Sequence, residues 1–464
     1  MKIRDNDTIA AIATPIGEGA IAVIRVSGPQ VFSITDKVFR GKRPIADAHG
    51  YSVHHGKIVD TEGSLVDEVL VTVFRGPRSY TGEDAVEISC HGGLLVTNKI
   101  LSTVLRAGAR QADPGEYTKR AFLNGKKDLS QAEAVADLIA ARSQKAHAAS
   151  INQLEGKLAE KMGSARAELI DLCSLLELDL DFSEDGIPLI SAEEILRRLT
   201  TCQNDIRLLM DSYEVGKIYR EGVKVALVGK PNAGKSSLFN ALLRENRAIV
   251  TSFAGTTRDF LEEAISISGV LFSLTDTAGL RDVQSVVESE GVARSVQILR
   301  KSDIIVLVVD GTLSTDKDES MQLLRSVNGT RHVLIVYNKS DLLENGVKGP
   351  VTHTMDGVAV TELFASAKTG NGLDILMEKL TESAVGDQIG EDCGIRITSQ
   401  RHFEAIARTC HSLSAAVSSV LSKTSNEFIA LDVRGAINAL SEITGEVTTD
   451  DILDNIFGKF CIGK

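Results

Sequence analysis

The chain has 464 residues, 43% of them hydrophobic and 25% charged, with 51 Lys and Arg against 63 Asp and Glu for a net charge of −12. That length allows about three domains, each with ample core, and the composition is ordinary for a soluble globular protein. The acidic total argues against a protein that grips nucleic acid by general electrostatics, so any RNA contact rests on a local basic patch or a partner. No apolar run approaches the ~20 residues needed to span a bilayer, and the opening MKIRDNDT lacks the apolar core of a signal peptide. The cysteines (Cys90, Cys173, Cys202, Cys393, Cys410, Cys461) show no C-x-x-C spacing, so neither a zinc ribbon nor a disulfide framework is indicated. The expectation is a cytoplasmic protein with no membrane association.

Residues 1–121 carry short strand-like runs at Thr8–Ala13, Ala20–Val26, Glu68–Phe74 and Ala85–Ser89, with helical segments at Gln30–Phe39 and Leu94–Ala107, an α+β pattern. Arg25 and Glu87 interrupt otherwise apolar runs, which by itself puts them on a solvent-facing side of their strands. Cys90 and His91 adjoin in a strand and so point to opposite faces, which makes them structural rather than a catalytic pair. From Leu129 to Leu180 a Pro-free stretch places apolar residues such as Val135, Leu138, Ile139, Leu172, Leu175 and Leu176 at helical spacing. Ala192–Tyr213 continues it, which makes 122–219 helical. Residues 220–381 then alternate β and α, and 382–464 return to helices at Arg401–Leu421, Phe428–Ile443 and Thr449–Phe457. These last helices are too few to bury their apolar faces alone. The favoured fold is therefore a multidomain one: an N-terminal α+β domain and an α-helical domain into which an α/β unit is inserted. Two independent helical appendages are the alternative.

The inserted unit carries the most specific signals. Gly229 to Ser236 reads GKPNAGKS, after the apolar run Val223–Val228 and before a helical segment from Ser237 to Leu243. This matches G-x-x-x-x-G-K-[ST], in which backbone N–H groups and a helix N-terminus converge on phosphate oxygens. Asn232, Ala233, Gly234, Lys235, Ser236 and Ser237 form that cradle, with Lys235 reaching the β/γ-phosphates and the Ser236 hydroxyl on Mg²⁺. Asp276-Thr277-Ala278-Gly279 follows the run Val270–Leu274, as a Mg²⁺-linked Asp at a strand end should. Asn338-Lys339-Ser340-Asp341 follows Val333–Val336 and reads as N-K-x-D. Its Asp can accept from the N1–H and 2-amino group of guanine, a donor pair that adenine lacks. Ser366-Ala367-Lys368 reads as the loop closing over the base. The four segments in order predict a guanine-nucleotide-binding domain of the Ras-like P-loop type, binding GTP and GDP.

Thr251 to Asp259 lies where such a domain keeps its first switch, and one threonine there must complete the Mg²⁺ shell. After the DTAG glycine most such GTPases carry a Gln that orients water; here Leu280 has no group to do so. Either hydrolysis is vestigial or another residue serves, with Asp282, Glu288 and Glu290 as the acidic candidates downstream. The ending Cys461-Ile462-Gly463-Lys464 fits prenylation poorly. Read alone, Cys461 is a small buried apolar residue at the end of a helix.

The segments DTIAAIATPIGEGAIAVIRVSG, SYTGEDAVEISCHGG, PGEYTKRAFLNGKKDLSQAEAVADLI, GKPNAGKSSLFNAL, AIVTSFAGTTRD, DTAGLRD and the terminal FCIGK, in that order, resemble the MnmE/TrmE family of tRNA-modification GTPases over essentially the full length. Phe253, where the family often has Ile, and Asp432-Val433-Arg434 are minor departures. The resemblance implies a homodimeric GTPase that acts on tRNA with an FAD-dependent flavoprotein of the GidA/MnmG type. Together they modify carbon 5 of the wobble uridine, adding an aminomethyl or carboxymethylaminomethyl group from a tetrahydrofolate donor (5-formyl- or 5,10-methylene-tetrahydrofolate). It implies K⁺ bound by Asn232, Thr251, Phe253 through its carbonyl, and Thr256, with Thr257 and Ser236 on Mg²⁺. A monovalent cation against the phosphates can substitute for an arginine finger. The catalytic carboxylate implied is Glu288. The N-terminal domain is implied to dimerise and to bind folate, through Arg25, Glu87, Lys126 and Lys464, and Cys461 becomes a functional thiol near that pocket. The rival reading is a regulatory GTPase switch in ribosome or RNA assembly, which would need no folate pocket and would show a basic appendage.

Overall fold

The computed structural model describes residues 7–181, 189–246, 262–276, 297–313, 332–343, 349–355, 358–386 and 394–464. Contacts group the chain into two compact units, one of Met1–Ala136, Gln153–Arg198 and Ala415–Lys464, the other of Asp137–Asn152 and Leu199–Ser414.

In the first unit, β1 (Ile9–Ile12), β2 (Ile21–Ser27), α1 (Val31–Val38), β3 (Phe39–Gly41), β4 (Ser52–Val59), β5 (Leu65–Phe74), β6 (Ala85–His91), α2 (Leu94–Arg106) and β7 (Arg110–Gln111) follow in order. The strands form one sheet in the order β3-β4-β5-β6-β2-β1-β7. Only the β1–β7 pairing is parallel. Side chains alternate across a pleat, and burial follows. Ala22, Ile24 and Val26 of β2 and Val86, Ile88 and Cys90 of β6 join Val31, Ile34, Ile100 and Val104 of the two helices in one core. Each fully buried Ile there contributes roughly 1.5–3 kcal/mol. The opposite face holds Val23, Arg25, Glu87 and Ser89, half-buried, and His91, exposed.

Strand β4 was not expected, because His54, His55 and Gly56 break its apolar rhythm. Helix α3 (Glu116–Leu123) was missed for a different reason: its inward face is polar, with Glu116, Thr118 and Arg120 buried beside Tyr117 and Ala121. Glu116 and Arg120 pair at 2.9 Å, and Arg110 reaches Glu116 and Asp7 at 2.7 and 2.8 Å. The charges compensate one another, so an apolar count does not register the helix.

The Pro-free stretch resolves into α4 (Leu129–Ala140), α5 (Gln144–Leu154) and α6 (Lys157–Asp181), followed by α7 (Ala192–Asp211) and α8 (Tyr213–Glu221). Helices α11 (Gln400–Leu421), α12 (Asn426–Thr444) and α13 (Asp450–Phe457) close the chain. Ser425 and Thr449 cap α12 and α13 by accepting from Glu427 and Ile452 N–H groups. Leu169, Leu172 and Leu176 of α6 and Ile429, Val433 and Leu440 of α12 are buried. Arg166 of α6 donates to Ser441 Oγ at 2.8 Å, and Arg434 of α12 to Glu177 Oε1 at 3.0 Å. Helices before and after the α/β unit thus pack on each other, as an insertion requires and as separate appendages would not.

Between those helices in sequence lie β8 (Val223–Val228), α9 (Lys235–Asn246), β9 (Glu262–Ile267), β10 (Val270–Asp276), β11 (Ile304–Asp310), β12 (His332–Asn338), β13 (Val351–Met355), β14 (Val358–Phe364) and α10 (Leu373–Val385). Their sheet runs β13-β14-β12-β11-β8-β10-β9. The five inner strands are parallel and the two edges antiparallel. All of Ile304–Asp310 is buried, as a central parallel strand covered on both faces must be. Among the described residues no helix is long and apolar enough to cross a membrane.

Candidate functional site

The P-loop leaves the end of β8, which lies between β11 and β10. That is the switch point at which doubly wound sheets hold ligands. Gly234 has φ of +90°, and a β-carbon there would run into Asn338 Nδ2. Only glycine lets the loop backbone approach so closely. Asn232 is exposed and left-handed at φ +65°, one of few non-glycine residues so placed among the described residues. Lys235 is buried, and its Nζ donates to the Lys230 carbonyl at 2.8 Å. Ser236 Oγ, in the first turn of α9, donates to Asp276 Oδ2 at the end of β10 at 3.1 Å. A hydroxyl and a carboxylate so paired are the hard oxygen donors that Mg²⁺ takes. Ser237 stays exposed on α9.

Asn338 ties the distant segments together. Buried to 2% exposure, it donates from Nδ2 to the Ala233 carbonyl at 3.0 Å and accepts at Oδ1 from the Ala367 N–H at 3.1 Å. Ser366 Oγ donates to Asp341 Oδ1 at 2.6 Å, which holds the Asp341 carboxylate against the SAK loop. Lys368 is exposed. Lys339 Nζ donates to Asp310 Oδ2 at 2.6 Å. Asp310 was not singled out from sequence. Its signal is the one that marked Asp276, an Asp ending an apolar strand. Thr251, Phe253, Thr256, Thr257, Thr277, Ala278, Gly279, Leu280, Asp282, Glu288 and Glu290 lie outside the described residues.

A second cluster lies in the first unit. Arg25 and Glu87 are register partners in β2 and β6, and Arg25 Nε and Nη2 donate to Glu87 Oε1 at 3.0 and 2.8 Å. Both bonds use one oxygen, and Glu87 Oε2 takes none among the described residues. The guanidinium lies 5.4 Å from the Tyr80 ring and 5.6 Å from that of Tyr117, whose hydroxyl donates to the Arg25 carbonyl at 2.7 Å. Burial raises the pKa of both tyrosines, so neither ionises near neutrality.

The C-terminal tail reaches this cluster. Phe457 and Phe460 anchor it beside Leu129, Ala132 and Leu453. Arg25 Nη1 donates to the Gly463 carbonyl at 3.4 Å, and Gly115 N–H to that of Cys461 at 3.5 Å. Burial lowers the pKa of Lys464; nearby Arg25 pushes the same way and Glu87 opposes it. Arg25 and Glu87 thus lie on the strand face turned away from the core, as expected, but half-buried, with the tail against Arg25. Cys461 is exposed, so its reading as a small buried residue is corrected. Lys126 is exposed, with its stem against Gly82, two residues from Tyr80. Cys90 and His91 face opposite ways as expected. Burial pushes the Cys90 thiol up to about 11, while exposed His91 pairs with Asp67 at 2.7 Å.

Comparison with known proteins places the chain in a family. A family model described as the MnmE helical domain matches residues 129–461, and one described as the GTP-binding protein TrmE N-terminus matches residues 8–126. A tRNA modification GTPase MnmE of Syntrophus aciditrophicus (strain SB) is 44% identical over 460 residues, covering 99% of this chain and 100% of its own. That of Carboxydothermus hydrogenoformans is 41% identical over 462 residues, covering 99% and 100%, and that of Chlorobaculum tepidum 40% over 462 residues, covering 98% and 97%. At this identity over the whole length, the chain belongs to the MnmE family of tRNA modification GTPases.

Proposed function

We propose that the protein hydrolyses GTP in the cleft at the end of β8 and, with that turnover, drives one-carbon addition to carbon 5 of the wobble uridine of certain tRNAs. The donor is a 5-formyl- or 5,10-methylene-tetrahydrofolate held at Arg25 and Glu87, and an FAD-dependent flavoprotein of the GidA/MnmG type is the partner. The observation that carries this reading is the return of the Cys461–Lys464 tail to Arg25, 438 residues away in sequence. A GTP-driven RNA switch has no use for a guanidinium–carboxylate pair on a sheet face with the chain's own C-terminal tail brought back to it.

The donor set suits a folate. Glu87 Oε2 is open to accept from the adjacent N–H groups of a pterin, and Arg25, Lys464 and Lys126 suit the folate carboxylates. Tyr80 and Tyr117 hold the guanidinium in place. When bound, the folate supplies the one-carbon unit; Arg25 and Glu87 bind and orient, and Cys461 carries an exposed thiol on the tail that reaches Arg25.

In the nucleotide cleft Ser236 and Asp276 suit Mg²⁺, with Thr257 completing the shell. Asn232 points an exposed amide out of the P-loop, an oxygen available to K⁺ beside those of Thr251, Phe253 and Thr256. Glu288 orients the attacking water in place of Leu280. The protein works as a cytoplasmic homodimer, with domains at 1–121, 122–219, 220–381 and 382–464. Mass spectrometry of tRNA nucleosides from cells lacking the protein tests the whole: the wobble modification is expected to vanish, and unchanged wobble uridines would overturn the reading.

A further inference from the structure

Asp310 is the last residue of β11, and its partner in the parallel register with β12 is Asn338, the first residue of the NKSD segment. It is buried, and both carboxylate oxygens are committed. Oδ1 accepts from the Thr312 N–H at 3.0 Å and from Thr312 Oγ1 at 2.7 Å, while Oδ2 accepts from Lys339 Nζ at 2.6 Å. Burial raises its pKa, but the bonds from Lys339 and Thr312 outweigh that and hold the carboxyl below its ordinary range. The group is therefore an ionised acceptor that cannot turn.

Lys339 in turn has little freedom. Its φ is +63°, left-handed for a residue with a β-carbon, a conformation that persists only where surrounding contacts impose it. The Gly311 N–H donates to the Asn338 carbonyl at 2.9 Å, so the turn after β11 holds Asn338 by its backbone and Lys339 by its ammonium. The butyl stem of Lys339 thus runs between a fixed backbone and a tied head, with the side chain still 35% exposed. An apolar flank held at both ends and still open to solvent is what a purine face packs on.

We propose that Asp310 is a positioning residue for guanine-nucleotide binding, which fixes Lys339 as a flat platform for the base beside Asn338 and Asp341. Asp310 itself touches neither base nor phosphate; it acts through Lys339, with Thr312 setting the carboxylate's rotation. The inference rests on the reading of Asn338–Asp341 as the segment that meets guanine.

A double-mutant cycle on the full-length protein tests it, with the dissociation constant of a fluorescent GDP as the readout. Asp310→Asn keeps the shape and the Thr312 bonds but loses the charge opposite Lys339. It is expected to raise the constant about tenfold, the size of one charge-assisted hydrogen bond. Lys339→Met keeps the stem and loses the ammonium, with a similar rise. The double variant is expected to match Lys339→Met alone, because Asp310 then has nothing left to hold. Steady-state hydrolysis should show the same rise in KM for GTP with little movement in kcat; a general folding fault would lower kcat as well. Multiplying effects in the double variant would overturn the proposal, as would Asp310→Asn binding GDP like the wild type while Lys339→Met does not. If Lys339→Met leaves GDP binding intact, the guanine-reading assignment itself fails, and the proposal with it. Should Asp310→Asn not fold, Thr312→Val frees the same carboxylate from one donor. It is expected to raise the constant about threefold, again only while Lys339 is present; no change would overturn the proposal.

Discussion

Replacing Gly463 by Ala separates the tail's role from that of the nucleotide cleft. Gly463 has φ of +96°, and an added β-carbon would press on the Ile12 carbonyl oxygen and lie 3.1 Å from Ala13 Cα. A side chain in the left-handed region costs about 1–2 kcal/mol, and the clash with β1 backbone, which cannot move without breaking the sheet, adds to it. What holds the tail is weaker. The bonds from Arg25 to Gly463 and from Gly115 to Cys461 are 3.4 and 3.5 Å long, each worth about 0.5 kcal/mol at that length. Cys461 and Ile462 are exposed and bury little apolar surface. The strain exceeds the hold by about 1 kcal/mol or more, so most molecules carry residues 461–464 away from Arg25. Phe457 and Phe460 stay buried, so the fold survives.

The expected outcome is a loss of wobble-uridine modification of about tenfold, with K⁺-dependent GTP hydrolysis near normal and a melting temperature within about 2 °C of wild type. The assay is mass spectrometry of tRNA nucleosides from a deletion strain complemented with the variant, beside hydrolysis by the purified protein. Undiminished modification would refute the tail's part in the chemistry. Hydrolysis falling in step with modification would show the tail to be structural support.

GTP hydrolysis is expected to require K⁺ and to fail in an equal concentration of Na⁺; Asn232→Ala should abolish the K⁺ response with GDP affinity nearly intact, and equal turnover in both salts would sink the cation assignment. Glu288→Ala should still bind GTP but lose both hydrolysis and tRNA modification, and a larger loss of turnover in Asp282→Ala or Glu290→Ala would move the assignment. Glu116→Gln should lower stability at neutral pH by about 3 kcal/mol, since it leaves Arg110 and Arg120 short of a buried partner. Burial raises the pKa of Glu116, but bonds from Arg110, the Asp113 N–H and Arg120 outweigh that and lower it, so its contribution is present above the ordinary value of 4.5 and lost as pH falls through the folded one. Acid denaturation below about pH 4.5 should therefore be shallower in Glu116→Gln; an unchanged acid limb would show that the ion network is not what titrates.

The nucleotide cleft was legible in the chain because its parts are local. A strand, a glycine turn and a helix N-terminus within GKPNAGKS make a phosphate cradle whatever surrounds them, and the placement of Asp276 and NKSD at strand ends follows from the short apolar runs that precede them. The alternation in β2 and β6 likewise marked which residues enter the N-terminal core, since pleating alone sends neighbours to opposite faces. Polar packing defeated the same reasoning. Helix α3 buries charged residues against one another, and β4 carries two histidines, so neither shows the apolar rhythm by which elements are found.

Juxtaposition was left to the tertiary structure. That Asp310 stands opposite Asn338 depends on β11 pairing with β12 in one register, and a slip of one residue would turn its side chain away. That Arg25 meets Glu87 between two tyrosines depends on β6 returning beside β2 after 62 residues. The reversal over Cys461 has the same cause. A small residue after a helix is buried or exposed according to what the chain returns to, and here the buried glycine at 463, not the cysteine, faces the sheet. Sequence encodes the elements through local sterics and patterning, but side chains far apart in the chain are brought to a shared site only by strand pairing and packing.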